Sequence, residues 1–206
     1  MNVVSITIDN KRAELQKKIF EACGLDIPRF FYGSHFKDYD GHTNCTISHT
    51  NVIRMANFLN WDGVLIFEDD AYPCINCKKK LEDSIKNMPN DANILVLGWN
   101  LNRNTSFSNS YNLAAIDKTI DIWGSHSYFI VKNAYREYLK FYDDVSNHSD
   151  WIFSRMNGVY YTKEPLFIQY CKNSSMNDHN GYIYNRESLK DPPNGFERIE
   201  NILKCK

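Results

Sequence analysis

Short apolar runs alternate along the chain with longer segments in which apolar residues recur every three or four positions. The short runs are typical of buried β-strands, and they lie at 3–8, 29–32, 64–67 and 94–97. The longer segments predict amphipathic helices at 11–23, 46–59 and 78–88. Because strands and helices alternate, the pattern predicts an α/β fold with a mostly parallel central sheet flanked by helices.

The second half of the chain is less regular. Residues 100–112 predict a polar loop, and residues 127–131 predict a strand that is followed by a helix. A short helix at SDWIFSRM and late strands at 159–162 and 166–170 complete the apolar pattern. From 172 to 193 the sequence is rich in Asn, Gly and Pro, which predicts a mobile segment before a short terminal helix.

Composition and charge exclude several classes of protein. The chain has 206 residues, of which 43% are hydrophobic, enough for one substantial core. Its net charge of -1 provides no broad basic field, so nucleic acid is not an expected partner. No window contains the roughly 20 apolar residues of a membrane span. Because no basic leader precedes the first strand and the six cysteines are scattered, we expect reduced thiols and a cytoplasmic protein.

The densest negative charge follows the apolar run at 64–67. The stretch GVLIFEDDAYP places Glu68, Asp69 and Asp70 side by side, with no Lys or Arg in the next seven residues. In an open α/β sheet, ligands bind at the carboxyl ends of the strands. Adjacent carboxylates need a counter-charge, and oxygen ligands suit Mn²⁺ or Mg²⁺ with positions open to a diphosphate. The alternative is a solvated acidic turn or a set of helix N-caps.

A second candidate motif is the CxxC sequence from Cys74 to Cys77. A structural zinc site would need a second pair of ligands, and no CxxC or HxxxH partner occurs elsewhere in the sequence. A redox motif would be expected after the first strand of a βαβ unit. The position directly after the acidic triplet favours an ordinary junction between a loop and a helix.

Four segments in order resemble the family 25 glycosyltransferases, which include the sugar transferases of lipopolysaccharide and lipooligosaccharide. The segments are NCTISH at 44–49, VLIFEDDA at 64–71, WGSHSYFIVKNAYREYL at 123–139 and SDWIF at 149–153. The resemblance implies a GT-A fold and transfer of a sugar from a nucleotide-sugar donor, with a UDP-sugar expected. It also implies a glycan, glycoprotein or glycolipid acceptor. Similar compact domains occur in large DNA viruses that glycosylate their capsid proteins.

The resemblance divides the chain into a nucleotide- and metal-binding half at 1–99, an acceptor-side half at 100–171 and a C-terminal segment at 172–206. Glu68, Asp69 and Asp70 correspond to the metal-binding DxD motif, with Asp70 as the direct ligand of Mn²⁺ or Mg²⁺. The resemblance also suggests His179, within the polar segment, as a further metal ligand.

Donor-binding residues are also implied by the resemblance. Thr7, Asp9 and Arg12 lie where a GT-A domain cradles the base and ribose. Ser48 and His49 lie near the start of a helix, and a helix N-terminus favours anions. The alternatives are a solvated helix face for Arg12 and a packing role for His49.

Asp150 is the implied general base, which would deprotonate the acceptor hydroxyl in an inverting transfer. Its alternative role is to cap the helix that starts beside it. The segment Trp123, Gly124, Ser125 and His126 resembles the acceptor side of the family. Trp123 would stack on a sugar and Gly124 would allow its close approach, although an aromatic residue before a strand is also typical of a core.

Other functions fit parts of the same pattern. A retaining transferase would use Asp150 to orient substrates rather than to accept a proton. A non-catalytic domain would bind a nucleotide-sugar or glycan without turnover. A phosphoryl-transfer enzyme is disfavoured because neither a phosphate-binding Gly loop nor a lysine motif accompanies the acidic cluster.

Overall fold

The computed structural model describes residues 1–101, 113–115, 122–141, 149–169, 195–197 and 199–204. The β-strands in chain order are β1 Asn2–Thr7, β2 Arg29–Tyr32, β3 Gly63–Glu68, β4 Ala71–Pro73, β5 Ile94–Leu101, β6 Leu113–Ala115, β7 Ile122–Val131, β8 Val159–Thr162 and β9 Phe167–Gln169. The α-helices are α1 Asn10–Ala22, α2 Gly41–Phe58, α3 Cys77–Lys86, α4 Tyr135–Lys140, α5 Ser149–Arg155 and α6 Ile199–Lys204. A short 3₁₀ helix at Lys132–Ala134 precedes α4.

A seven-stranded sheet in the order β2-β1-β3-β7-β5-β8-β6 forms the centre of the fold. Strand β1 pairs in parallel with β2 and β3, and β5 pairs in parallel with β8. Strand β7 lies antiparallel between β3 and β5, and β6 is antiparallel to β8. Five of the seven strands therefore run in one direction, which confirms the predicted α/β class with a mostly parallel sheet.

Both faces of the sheet are buried, which explains why the central strands are continuously apolar. Successive side chains of a strand point to opposite faces. In β3, Val64 and Ile66 belong to one core cluster with residues of α2 and α5, whereas Leu65 and Phe67 belong to the other with residues of α1 and α3. Full burial of one such side chain stabilises the fold by about 1.5–3 kcal/mol.

The structure corrects several predicted boundaries. Helix α2 begins at Gly41 rather than at 46, because the carboxylate of Asp40 accepts a hydrogen bond from the Thr43 N–H at 2.7 Å and caps the helix. Strand β5 continues to Leu101, and β7 begins at Ile122 rather than at 127. The remainder of the predicted loop at 100–112 and the predicted mobile segment at 172–193 lie outside the described residues.

A second, two-stranded sheet was not predicted. Strand β4, directly after the acidic triplet, pairs antiparallel with β9, so that Ala71 faces Gln169. A strand of three residues has too short a pattern to be recognised from sequence, and its partner lies almost a hundred positions away. This pairing brings Gln169 beside the acidic triplet.

Candidate functional site

The acidic triplet lies at the carboxyl ends of two neighbouring strands. Glu68 ends β3, and the backbone N–H of Asp69 donates to the Ile6 carbonyl near the end of β1 at 2.9 Å. The hydroxyl of Thr7, the last residue of β1, donates to Oδ2 of Asp69 at 2.6 Å. The first position after β3 is thus joined to β1, at the edge of the sheet where α/β proteins bind ligands.

Arg12 supplies the counter-charge that the local sequence lacks. The side chain of Asp9 accepts from the Lys11 N–H at 2.7 Å and caps α1, which places Arg12 in the first turn above the triplet. Its Nη2 lies 2.5 Å from Oδ1 of Asp69 and 3.0 Å from Oδ2 of Asp70. The side chain of Arg12 is 30% exposed. Of the predicted donor-binding residues, Asp9 and Arg12 reach the surface, whereas Thr7 is buried.

Asp70 is the least satisfied carboxylate of the triplet. The residue is only 8% exposed, and Oδ2 accepts from Gln169 Nε2 at 3.4 Å in addition to the ion pair with Arg12. Its Oδ1 is buried and has no hydrogen-bond partner among the described residues. Burial, with the negative charge of Glu68, raises the pKa of Asp70 to about 8 against the opposing effect of Arg12. The buried Oδ1 of Asp70, which lacks a hydrogen-bond partner among the described residues, is a suitable ligand for a hard cation.

Glu68 has a different environment from Asp70. Its Oε1 accepts from Ser125 Oγ at 3.2 Å and lies 3.2 Å from Nε2 of His49, whose Nδ1 is 3.0 Å from the Tyr128 hydroxyl. Burial alone would raise the pKa of Glu68, yet the hydrogen bond and charge of His49, with smaller contributions from His126 and Ser125, lower it overall. The contacts from α2 and β7 therefore favour the ionised form of Glu68 and hold its carboxylate in place.

The polar atoms of Ser48 and His49 make contacts within the protein interior. His49 is fully buried between Tyr128 and Glu68. The Ser48 hydroxyl donates to the Asn44 carbonyl at 2.7 Å and accepts from the Ser34 N–H at 2.8 Å. Donor contacts for both residues stay a prediction, and in the structure His49 contacts Glu68.

Asp150 lies in the first turn of α5, next to β7. Its Oδ2 accepts from the Gly124 N–H at 3.4 Å, and Oδ1 accepts from the N–H of Trp151 at 3.1 Å. The preceding Ser149 hydroxyl donates to Ser125 Oγ at 3.0 Å. Since Ser125 also donates to Glu68, a hydrogen-bonded chain connects the start of α5 to the acidic triplet.

The segment from Trp123 to His126 lies within β7. Gly124 has φ of 131°, and a Cβ there would lie 3.1 Å from both the Gly98 carbonyl oxygen and Cα of Trp99. Glycine is thus required by the approach of β5, independently of any sugar. His126 is buried, with Nε2 3.2 Å from the Phe167 carbonyl, and burial lowers its pKa. Trp123 pairs with Asn100 of β5.

Cys45 is a site residue that the sequence analysis missed. It lies one helical turn before His49 on α2, and its Sγ donates to Oε1 of Glu68 at 3.8 Å. The potential ligand atoms of Cys45, His49 and Glu68 all lie within 4.8 Å of one another, and such a mixed set suits zinc. Burial, aided by the charge of Glu68, raises the pKa of the Cys45 thiol and favours its protonated, donating form. The i, i+4 spacing of Cys45 and His49 was the available signal, but the predicted helix began one residue after Cys45.

The CxxC motif forms the predicted junction between a loop and a helix. Cys77 is the first residue of α3, and its thiol donates to the Leu166 carbonyl at 3.6 Å. Cys74 is also buried, and its backbone N–H donates to the same carbonyl at 2.9 Å. Both are free thiols. His179, the predicted additional metal ligand, lies outside the described residues.

Comparison with solved structures places this site in a known type of fold. A glycosyltransferase involved in the glycosylation of the major capsid of PBCV-1 superposes with a TM-score of 0.51, at 13% sequence identity over 85% of this chain and 95% of that one. The chain has a GT-A-like fold. In this fold the acidic triplet lies at the ligand-binding edge of the sheet.

Two further matches are more distant. A197 from STIV superposes with a TM-score of 0.46 at 11% identity, over 87% of this chain and all of that chain (100%). The 4-diphosphocytidyl-2C-methyl-D-erythritol synthase from Anaerococcus prevotii superposes with a TM-score of 0.44 at 10% identity, over 81% and 90%. The sequence matches no protein-family model and no curated protein sequence. None of the helices within the described ranges combines the length and apolar character of a membrane span.

Proposed function

We propose that this protein is a metal-dependent glycosyltransferase that moves a sugar from a nucleotide-sugar donor to a glycan, protein or lipid acceptor. A UDP-sugar is the expected donor, and inversion at the anomeric carbon is the expected outcome. The observation that carries the proposal is the buried Oδ1 of Asp70, which has no hydrogen-bond partner among the described residues and lies at the carboxyl end of β3. The GT-A-like fold supports this assignment.

The donor atoms around Asp70 fit Mn²⁺ or Mg²⁺. Asp70 offers a carboxylate oxygen in a cluster of oxygen ligands, whereas Oε1 of Glu68 and both oxygens of Asp69 are already engaged by protein donors. Asp70 would therefore be the principal protein ligand, with Asp69 beside it. When bound, the cation would neutralise charge that develops on the leaving nucleoside diphosphate. The resemblance to family 25 remains a prediction at this point.

Asp150 is the residue we assign as the general base. Its carboxylate would take the proton of the acceptor hydroxyl while that oxygen forms a bond to the anomeric carbon and the bond to the diphosphate oxygen breaks. The N–H groups of Gly124 and Trp151 hold the carboxylate in one orientation, and such preorientation is what a positioned base requires. In a retaining transfer, the same residue would orient the substrates instead.

Calorimetric titration tests the proposed donor and cation. The purified protein is titrated with a panel of nucleoside diphosphate sugars, first with Mn²⁺ and then with EDTA. We expect one UDP-sugar to bind with Mn²⁺ and not with EDTA, and Asp70→Asn to abolish this difference. Glu82→Gln, which removes the same charge from an exposed position on α3, is the matched control and should behave as wild type. Nucleotide-sugar binding that is indifferent to EDTA would contradict the proposed metal dependence.

Transfer itself needs a separate measurement. Incubation of the binding donor with a glycan acceptor array, followed by analysis of the product anomer, distinguishes an inverting from a retaining enzyme. Binding without any transfer or donor hydrolysis would favour a non-catalytic nucleotide-sugar-binding domain.

A further inference from the structure

One guanidinium nitrogen of Arg12 bridges the two carboxylates that follow β3. Nη2 lies 2.5 Å from Oδ1 of Asp69 and 3.0 Å from Oδ2 of Asp70, and both Asp side chains are almost completely buried. The Arg12 side chain itself remains 30% exposed. A fixed positive charge with one exposed side therefore stands directly in front of the carboxylates that the proposed function assigns to a cation.

The guanidinium and a divalent cation cannot share this position. A cation that joined Oδ1 of Asp69 to Oδ2 of Asp70 would take the space that Nη2 now occupies, and a cation on Oδ1 of Asp70 would share one carboxylate with the guanidinium. Two positive charges this close together in a buried site repel each other strongly. In either position the cation is disfavoured while Arg12 stays in place, so movement of Arg12 away from the carboxylates favours cation entry.

The carboxylates would keep their orientation after such a movement. The Thr7 hydroxyl donates to Oδ2 of Asp69 at 2.6 Å, and Gln169 Nε2 donates to Oδ2 of Asp70 at 3.4 Å. Neither bond involves Arg12. The pair is thus arranged to accept a cation once the guanidinium has left.

We propose that Arg12 acts as a resident counter-charge, which excludes the cation from Asp69 and Asp70 until a nucleoside diphosphate draws the guanidinium to its phosphates. Guanidinium groups bind phosphate oxygens through paired hydrogen bonds, and this gives Arg12 an alternative partner. Cation and nucleotide then bind together, each strengthening the binding of the other. This inference rests on the proposed function and adds an order of events to it.

Binding of Mn²⁺ alone tests the inference, with the concentration of free ion measured by electron paramagnetic resonance. We expect Arg12→Gln to bind Mn²⁺ about tenfold more tightly than wild type in the absence of nucleotide, within the usual range of coupling between sites. Addition of UDP should tighten Mn²⁺ binding by wild type and much less by the variant. Lys11→Gln is the matched control, because it removes the same charge from the neighbouring exposed residue, and it should match wild type in both conditions.

The outcomes separate this inference from the proposed function. If Arg12→Gln binds Mn²⁺ no more tightly than Lys11→Gln, while UDP still promotes Mn²⁺ binding by all the proteins, Arg12 excludes nothing and only the inference is overturned. If no protein binds Mn²⁺ with or without UDP, the proposed metal site is overturned as well. Circular dichroism checks the fold of each variant, and Arg12→Met, which retains an aliphatic stem without the charge, replaces the glutamine variant if that variant unfolds.

Discussion

The imidazole Nε2 of His49 lies 3.2 Å from Oε1 of Glu68, the first carboxylate of the acidic triplet. This contact divides three adjacent carboxylates into groups with different properties. His49 favours the ionised form of Glu68, whereas burial beside Glu68 raises the pKa of Asp70 to about 8. The three carboxylates therefore do not form one equivalent set of metal ligands. Protein donors already contact Glu68, whereas the buried Oδ1 of Asp70 has no hydrogen-bond partner among the described residues.

The raised pKa of Asp70 predicts how the stability of the cation-free protein depends on pH. The carboxyl of Asp70 binds a proton more tightly in the folded state than in the unfolded state, where its pKa is near 3.8. Protonation of Asp70 therefore contributes fully to the free energy of unfolding below about pH 4, and this contribution is lost as pH rises towards 8. We therefore expect the free energy of unfolding, measured with urea in EDTA, to fall over this window.

Asp70→Asn should make that stability profile flatter, since the amide does not titrate. The exposed control Glu82→Gln should retain the slope of the wild-type profile. A wild-type stability that rises steadily from pH 4 to pH 8, with the same slope in Asp70→Asn, would show that Asp70 has an ordinary pKa.

Replacement of Asp150 should separate catalysis from binding. We expect Asp150→Asn to lower kcat by about 10²–10⁴-fold, the usual contribution of a general base, while the affinity for the donor stays near that of wild type. Asparagine retains an oxygen that can accept from the Gly124 or Trp151 N–H, so the start of α5 should remain in place. Steady-state kinetics combined with donor titration measures both quantities. Transfer at the wild-type rate would refute the assignment.

Loss of His49 should destabilise the protein through Glu68. His49→Ala leaves a buried carboxylate without its principal partner, which costs about 1–3 kcal/mol in addition to the cavity that it creates. Tyr128→Phe removes only the hydroxyl on the other side of the imidazole and should cost less, about 0.5–1.5 kcal/mol. Urea denaturation of both variants gives the comparison. Equal costs would indicate that the contact between His49 and Glu68 contributes little.

Gly124→Ala tests the reason for glycine in β7. The substitution combines a positive φ with a Cβ at 3.1 Å from the Gly98 carbonyl oxygen, and it should destabilise the fold by more than the roughly 1–3 kcal/mol of backbone strain alone. Gly195→Ala is the matched control, because Gly195 has φ of 90° but no atom of the described residues lies within 4 Å of an added Cβ. Thermal denaturation of the two variants separates the cost of backbone strain from the cost of the close approach of β5. Similar losses of stability in both variants would show that the close approach contributes little.

Much of the fold was predictable because its determinants are local. The apolar runs that became β1, β3 and β5 are buried on both faces, and this burial leaves its mark in each run separately. The first residues of α2 and β7 were less predictable. In α2, Asp40 caps a stretch whose polar composition is typical of a loop. Strand β4 was missed because only its pairing with β9 makes it a strand.

The sequence by itself determined that three carboxylates follow a buried strand, and therefore that they lie at the ligand-binding edge of an α/β sheet. Only the tertiary structure decided how their charge is compensated. The partners are Arg12 from α1, His49 from α2 and Gln169 from β9. No basic residue lies next to the triplet in the sequence, so the local sequence did not indicate which residues would compensate its charge. The physical reason is that charges interact through space, so their partners depend on the order of strands and helices rather than on proximity along the chain.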